Sequence, residues 1–311
     1  MKKRPLVSIL MNCFNGEKYL KKAIDSVLEQ TYPNWEIIFW DNASTDGSRQ
    51  IVLSYNDPRI KYFREETTVS LGEARQKAIK KIMGEYLCVL DVDDYFLPDK
   101  IETQLNIMVR NPSVVMSYSN LFFLNERHGK TAKYIQNHKT NYQGEIFGKL
   151  IQSNWIYLST IMINCKLAGQ QLYFDENYKF VEEYELFLRL SLIGKILFIN
   201  SVLGIYRLHD NNFITKEENY AIAVEERINI IQKYEKEIEL CAINDKKLKD
   251  HIYESYALFL LRENKTTKIE KVLQKIDNKK SSFYFLIMML TKLRLAFLYK
   301  FYYSLKKKMQ T

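Results

Sequence analysis

The apolar positions of this chain change their spacing from segment to segment. Val7-Ser8-Ile9-Leu10-Met11 is a short, partly β-branched run ending at the turn-forming Asn15-Gly16, the pattern of a buried strand. Over residues 17–30, Tyr19, Leu20, Ala23, Ile24, Val27 and Leu28 fall on one stripe of an amphipathic helix, and Pro33 marks its exit. Trp35 to Trp40 reads as a second strand. Asp41-Asn42-Ala43-Ser44-Thr45-Asp46-Gly47 is a polar turn with Ser44 placed to cap the next helix. These elements make a βαβ unit, so parallel strands and a right-handed crossover are expected.

The alternation continues with a strand over Ile60–Phe63, a helix over 71–83, a strand over Glu85–Leu90 and a helix from Pro98 through Val109. Residues 114–118 and 159–163 read as further strands. Past Asn212 the spacing is helical throughout, over 217–238, 245–262, 266–276 and 282–305. The fold class is therefore α/β: a mostly parallel sheet flanked by helices over residues 1–210, with an α-helical appendage over 211–311. The longest uncharged apolar run, Phe283 to Thr291, is far short of the roughly 20 residues a spanning helix needs.

Composition narrows the classes. A chain of 311 residues that is 47% hydrophobic, with 10 Gly and 5 Pro, excludes disorder and a disulfide mini-scaffold. Cys13, Cys88, Cys165 and Cys241 are far apart, without the spacing of a zinc cage or redox pair, which reads as reduced thiols in the cytoplasm. The basic start Met1-Lys2-Lys3-Arg4-Pro5 precedes an apolar run too short for a signal sequence. Net charge is +9, but residues 1–210 are nearly neutral, with 26 basic and 24 acidic side chains, which argues against nucleic acid. The excess lies at the end: Lys292 to Thr311 holds six basic residues and no acidic one, among aromatic and leucine positions.

Ligands of open α/β sheets gather at the carboxyl ends of the strands, so Asn12–Asn15, Asp41–Asn42 and Asp91–Asp94 should share one rim. Asp91-Val92-Asp93-Asp94 ends an apolar strand, and carboxylates there need a cation or hydrogen-bond donors. Mg²⁺ or Mn²⁺, completing its shell with substrate phosphate oxygens, is one answer; an exposed acidic turn before the helix is the other. Residues 181–192 also read two ways. Glu182, Glu183 and Glu185 are either a solvated acidic face near a helix start, or the source of a general base.

These segments resemble the family 2 inverting glycosyltransferases with the GT-A, Rossmann-like nucleotide-sugar fold. The resemblance runs through Val7–Asn15, Glu17–Pro33, Asp41–Ser48, Gly72-Glu73-Ala74-Arg75, Gly84–Asp94, Val181–Leu190 and Tyr206-Arg207-Leu208-His209, in that order. It implies a metal-dependent transfer from a nucleoside-diphosphate sugar, with uridine the favoured nucleoside, to a saccharide or lipid-linked saccharide in bacterial surface polysaccharide synthesis. By the family pattern Asn12, Phe14, Asn15, Asp41 and Asn42 line the nucleoside pocket, and Arg75 reaches the base or a phosphate. Asp91 and Asp93 hold ribose and Mn²⁺ or Mg²⁺, with His209 joining the metal or diphosphate. Asp94 faces donor sugar or acceptor, and Glu183 is the base, with Glu182 and Glu185 beside it.

Four positions depart from the common pattern: Asn12 for Pro or Thr, Asn42 for Asp, Gln76 for Asn and Glu183 for Asp. Asn42 keeps a carbonyl acceptor for a uracil imide. A nucleotidyltransferase would show a glycine- and lysine-rich loop after the first strand, which Asn12–Gly16 lacks. A noncatalytic nucleotide- or sugar-binding protein on the same fold is the other alternative. The tail over 282–308 fits a peripheral helix on the anionic inner face of a membrane, or a helix packed on protein or between copies of a homo-oligomer. His128 and His138 lie in the variable segment 119–158 without ligand spacing.

Overall fold

The computed structural model describes residues 4–126, 132–135, 142–209, 216–279 and 281–292. His128, His138 and the tail beyond Lys292 lie outside them. The chain forms two compact units, Met1–Asp210 and Asn211–Thr311.

Among the described residues the first unit is built on nine strands: β1 Val7–Cys13, β2 Trp35–Asp41, β3 Ile60–Arg64, β4 Tyr86–Val89, β5 Tyr95–Phe96, β6 Val114–Asn125, β7 Ala132–Ile135, β8 Met162–Asn164 and β9 Lys195–Leu208. Their order is β3-β2-β1-β4-β8-β6-β9-β5, with β7 paired on β6. β3, β2, β1 and β4 run parallel. Beyond them β8 is antiparallel to both its neighbours, while β6 and β9 pair in parallel, so the full sheet is mixed. Every residue of β1, β2 and β4 is buried, as strands covered on both faces require.

Helices α1 Glu17–Leu28, α2 Ser48–Ser54, α3 Leu71–Ile79, α4 Lys100–Arg110, α5 Phe147–Leu150, α6 Cys165–Ala168 and α7 Glu182–Ile193 complete the unit. On one face Leu20, Ala23, Ile24 and Val27 of α1 join Ile9, Met11, Ile37, Phe39 and Ile101 in the main core. On the other, α3 packs on β1 and β2 through buried Ala74 and Ala78. That places Arg75 beneath the carboxyl rim.

Several elements differ from the sequence reading. β9 was not foreseen, although Lys195–Leu208 is rich in Ile and Leu. The segment 119–158 holds the end of β6, all of β7 and α5. The 159–163 strand is a 3₁₀ turn, Leu158–Thr160, followed by β8. Ser44 does not cap α2, which begins four residues later behind Gly47. The 217–238 helix is broken into two.

The second unit is helical: α8 Glu217–Lys233, α9 Glu235–Leu240, α10 Asp245–Arg262, α11 Thr266–Leu273 and α12 Ser282–Lys292. α10 is its hub, packing against α8, α9, α11 and α12. No helix among the described residues is long and apolar enough to cross a membrane.

Candidate active site

The first wall of the site is made by two βα turns laced together. Asn15, in the left-handed region at φ 53°, donates its N–H to Ser44 Oγ at 3.0 Å, and its Oδ1 accepts from Thr45 N at 2.8 Å. Asp41 is fully buried. Its Oδ1 accepts from Ser44 N at 2.7 Å, and its Oδ2 accepts from Tyr62 Oη and Arg64 Nη1, each at 2.6 Å. Asn42 is bonded both ways to the backbone of Val69, at 2.9 and 3.0 Å. Asp41 and Asn42 are thus engaged within the wall, while Phe14, 54% exposed, is the ring presented at its surface. Asn12 is buried, and both ends of its amide lack a hydrogen-bond partner.

The second wall gathers around Arg75. Gly72, at the start of α3, allows the helix to approach the loop before α7: a Cβ there would lie 2.5 Å from the Tyr178 carbonyl oxygen. This contact brings Arg75 against the start of α7. Arg75 is buried and donates to Asp91 Oδ1 at 2.7 Å through Nη2, and to Glu182 through Nη1. Glu183 Oε2 lies 3.6 Å from the same Nη1. Glu182 and Glu185 are buried, so the solvated acidic face anticipated for 181–192 is instead turned inward. Glu185 is held by Arg189, one turn on, at 2.6 Å.

Three carboxylates therefore share one guanidinium, and the cluster is short of positive charge. Burial pushes the carboxyls of Asp91 and Glu182 above the usual range, with Arg75 acting against the rise. Glu183, farthest from the guanidinium, is pushed up to about 8 by desolvation, with the charges of Glu182 and Asp91 adding to it. Its side chain keeps 29% exposure, so the carboxyl opens onto the rim.

Between the walls, Asp93 Oδ2 lies 3.0 Å from His209 Nε2, and the His209 ring packs 5.0 Å from that of Tyr19. Asp94 is buried, accepting from Arg207 N at 2.9 Å and from Ser159 Oγ. Desolvation, then Asp93 and Asp91, holds the Asp94 carboxyl well above its ordinary value. Arg207 also donates from Nε to the Asp93 carbonyl oxygen at 2.9 Å and pairs with Glu126. Sequence reasoning gave Arg207 and Ser159 no role. The signal for Arg207 was its i, i+2 relation to His209, which puts both on one side of an extended segment.

Asp93 and His209 are brought together as anticipated, whereas Asp91, the other expected metal ligand, is held by Arg75. Among the described residues no group of three or more carboxylate, imidazole or thiolate side chains forms a metal cage. One carboxylate and one imidazole nonetheless fit a Mn²⁺ or Mg²⁺ ion that takes few protein ligands and fills its shell with water and phosphate oxygens.

Comparison with known proteins agrees with this architecture. Glycosyl transferase family 2 matches residues 8–171. An uncharacterised glycosyltransferase of Rickettsia typhi is 33% identical over 70% of this chain and 69% of its own. The Escherichia coli UDP-Glc:alpha-D-GlcNAc-diphosphoundecaprenol beta-1,3-glucosyltransferase WfgD is 31% identical over 67% of this chain and 79% of its own. Among solved structures, Staphylococcus aureus TarS 1–349 superposes with a TM-score of 0.60 at 18% identity, over 94% of this chain and 87% of that one. The same fragment is also known with UDP-GlcNAc. This chain spans 43% of a longer TarS chain. The mannosyltransferase PcManGT of Pyrobaculum calidifontis, solved with GDP-Man and Mn²⁺, gives 0.61 at 13% identity, over 97% of this chain and 84% of its own. These structural likenesses bear on the fold.

Proposed function

The chain belongs to glycosyl transferase family 2, and on that premise we propose that it moves a sugar, with inversion, from a UDP-linked donor to a hydroxyl of a saccharide or lipid-linked saccharide. The observation that carries this reading is the carboxylate cluster: Glu183, with its raised pKa, opens onto the rim that also presents Asp93 and His209. The uridine donor and lipid-linked acceptor are supported by WfgD, whose name states both, and by the UDP-GlcNAc complex of TarS. Synthesis of a bacterial surface polysaccharide is the setting this reading carries, as the family resemblance implies.

Phe14 would stack on the base, and the unpaired Asn12 amide would offer it a donor and an acceptor. Asn15, Asp41 and Asn42 shape that pocket from behind. Asp93 and His209 would hold Mn²⁺ or Mg²⁺, which supplies Lewis-acid stabilisation of charge on the departing diphosphate. Asp91, fixed by Arg75, is set to meet the ribose. Glu183 accepts the acceptor hydroxyl proton as the sugar carbon is attacked opposite the leaving group. A base of pKa about 8 is strong enough for that transfer and still partly ionised near neutral pH. Asp94, anchored by Ser159 and Arg207, fixes the turn on which Asp93 stands.

The test is thermal unfolding with UDP, GDP, CDP and dTDP, each with and without Mn²⁺, on the native chain and on Asp93→Ala. A Mn²⁺-dependent rise with UDP alone, lost in the variant, supports the reading. No rise with any nucleotide refutes it.

A further inference from the structure

We propose that the outward face of α12 is a docking surface for an anionic lipid bilayer. From Ser282 to Thr291 the helix carries no charged residue. One side is buried within the helical unit through Ile287, Leu290 and Thr291, where α12 meets α10 and α11. The opposite side is also apolar and is left bare: Phe285 is 62% exposed, Leu286 45% and Met289 43%. A helix on the surface of a globular unit ordinarily turns polar side chains to water there, so a contiguous apolar stripe marks a contact surface. Phe285 and Met289 stand one turn apart, in line.

The chemistry of the occupant follows from the sequence that continues from this face. Lys292, Arg294, Lys300, Lys306, Lys307 and Lys308 occur with no acidic residue as far as Thr311, interleaved with Leu295, Phe297, Leu298, Tyr299, Phe301, Tyr302 and Tyr303. A second copy offers the same net-basic sequence, without an acidic residue between 278 and 311 to offset the charge. A nucleic acid would answer the charge but not the bare Phe285, Leu286 and Met289. A bilayer containing anionic lipid answers both the apolar stripe and the charge of the sequence that follows, with the stripe taken into its interfacial region. The described residues of the helix, Ser282–Lys292, are too few to span such a bilayer. This inference goes beyond the glycosyl-transfer reading and does not depend on it.

The experiment is flotation of the full chain with vesicles of phosphatidylglycerol mixed with phosphatidylcholine, and with phosphatidylcholine alone, without donor or acceptor. The expected result is roughly ten-fold or greater enrichment on the anionic vesicles, weakened by salt. Phe285→Glu with Met289→Glu should remove most of that binding while leaving the circular dichroism melt unchanged. Should the pair melt early, Phe285→Ser with Met289→Ser serves in its place. Equal binding to both vesicle types, no binding to either, or binding indifferent to both pairs of substitutions would overturn the proposal. So would a concentration-dependent dimer that these substitutions dissolve, since the face would then be covered by a second copy.

Discussion

The imidazole Nε2 of His209 lies 3.0 Å from Oδ2 of Asp93, although 116 residues separate them. On the proposed reading these two groups are the pair that would hold the metal. Asp93→Ala is expected to abolish Mn²⁺-dependent UDP binding. His209→Ala should retain it but raise the half-saturating Mn²⁺ concentration roughly 10- to 100-fold. Titration calorimetry of Mn²⁺ into the UDP-bound chain checks both; an unchanged Mn²⁺ requirement in His209→Ala would remove that residue from the metal site.

Among the described residues, Arg75 is the one cationic partner of Asp91, Glu182 and Glu183. Removing one side of a buried charge cluster leaves the remainder uncompensated, at about 3–5 kcal/mol. Arg75→Met should therefore lower the denaturant midpoint sharply, and pairing it with Glu182→Gln should restore part of the loss. If the double substitution is no more stable than Arg75→Met alone, the two residues are not coupled as the geometry indicates.

Glu183 makes both activity and stability depend on pH. Its carboxyl titrates near 8 in the folded chain and near 4.5 when unfolded, so kcat/KM should rise with pH up to about 8 and level off above it. Between those two values the folded chain holds more protons at this site than the unfolded one, so this carboxyl lowers stability progressively as pH rises through that window. Glu183→Gln should accordingly be inactive yet melt higher than the native chain at pH 8.5, on the order of a few degrees, with the difference vanishing below pH 4.5. A melt that is lower at pH 8.5 would show that Glu183 is not desolvated as described.

Gly72→Ala tests the approach of α3 to the loop before α7. The added carbon would meet backbone, not a yielding side chain, at 2.5 Å from the Tyr178 oxygen. The helix must shift, and Arg75 with it. A displacement of about 1 Å at a positioning group is worth up to about a hundred-fold in turnover. Steady-state kinetics alongside a thermal melt would separate this from simple unfolding: kcat should fall further than the folded fraction does.

The parts of this site that were legible in the sequence are those set by local order. Asn12–Asn15, Asp41–Asn42 and Asp91–Asp94 each follow an apolar strand, and parallel strands deliver such ends to one rim whatever the side chains do there. What each side chain does there depends on partners far along the chain. Asp41 sits among Tyr62, Arg64 and Ser44, and Asn42 faces Val69; no local spacing encodes those pairings. The burial of Glu182 was hidden for the same reason, since its neighbours in sequence suggest water and its guanidinium lies 107 residues away. β9 escaped because Asn200, Ser201 and Gly204 interrupt its apolar run, and the register shifts against β6 show the backbone accommodating them.

The pairings that close this site have a consequence for how the protein comes into being. Arg75 meets Asp91 across 16 residues, but Glu182 across 107, and Asp94 meets the Arg207 backbone across 113. Loops of that length close after local structure has formed, and a chain emerging from the ribosome reaches residue 91 well before residue 182. For that interval Asp91 has its guanidinium, while Asp93 and Asp94 wait for His209, Ser159 and Arg207. On the proposed site assignment, the parallel half of the sheet can assemble early without being able to turn over substrate, and the first catalytic event would mark the docking of the last strand of the unit.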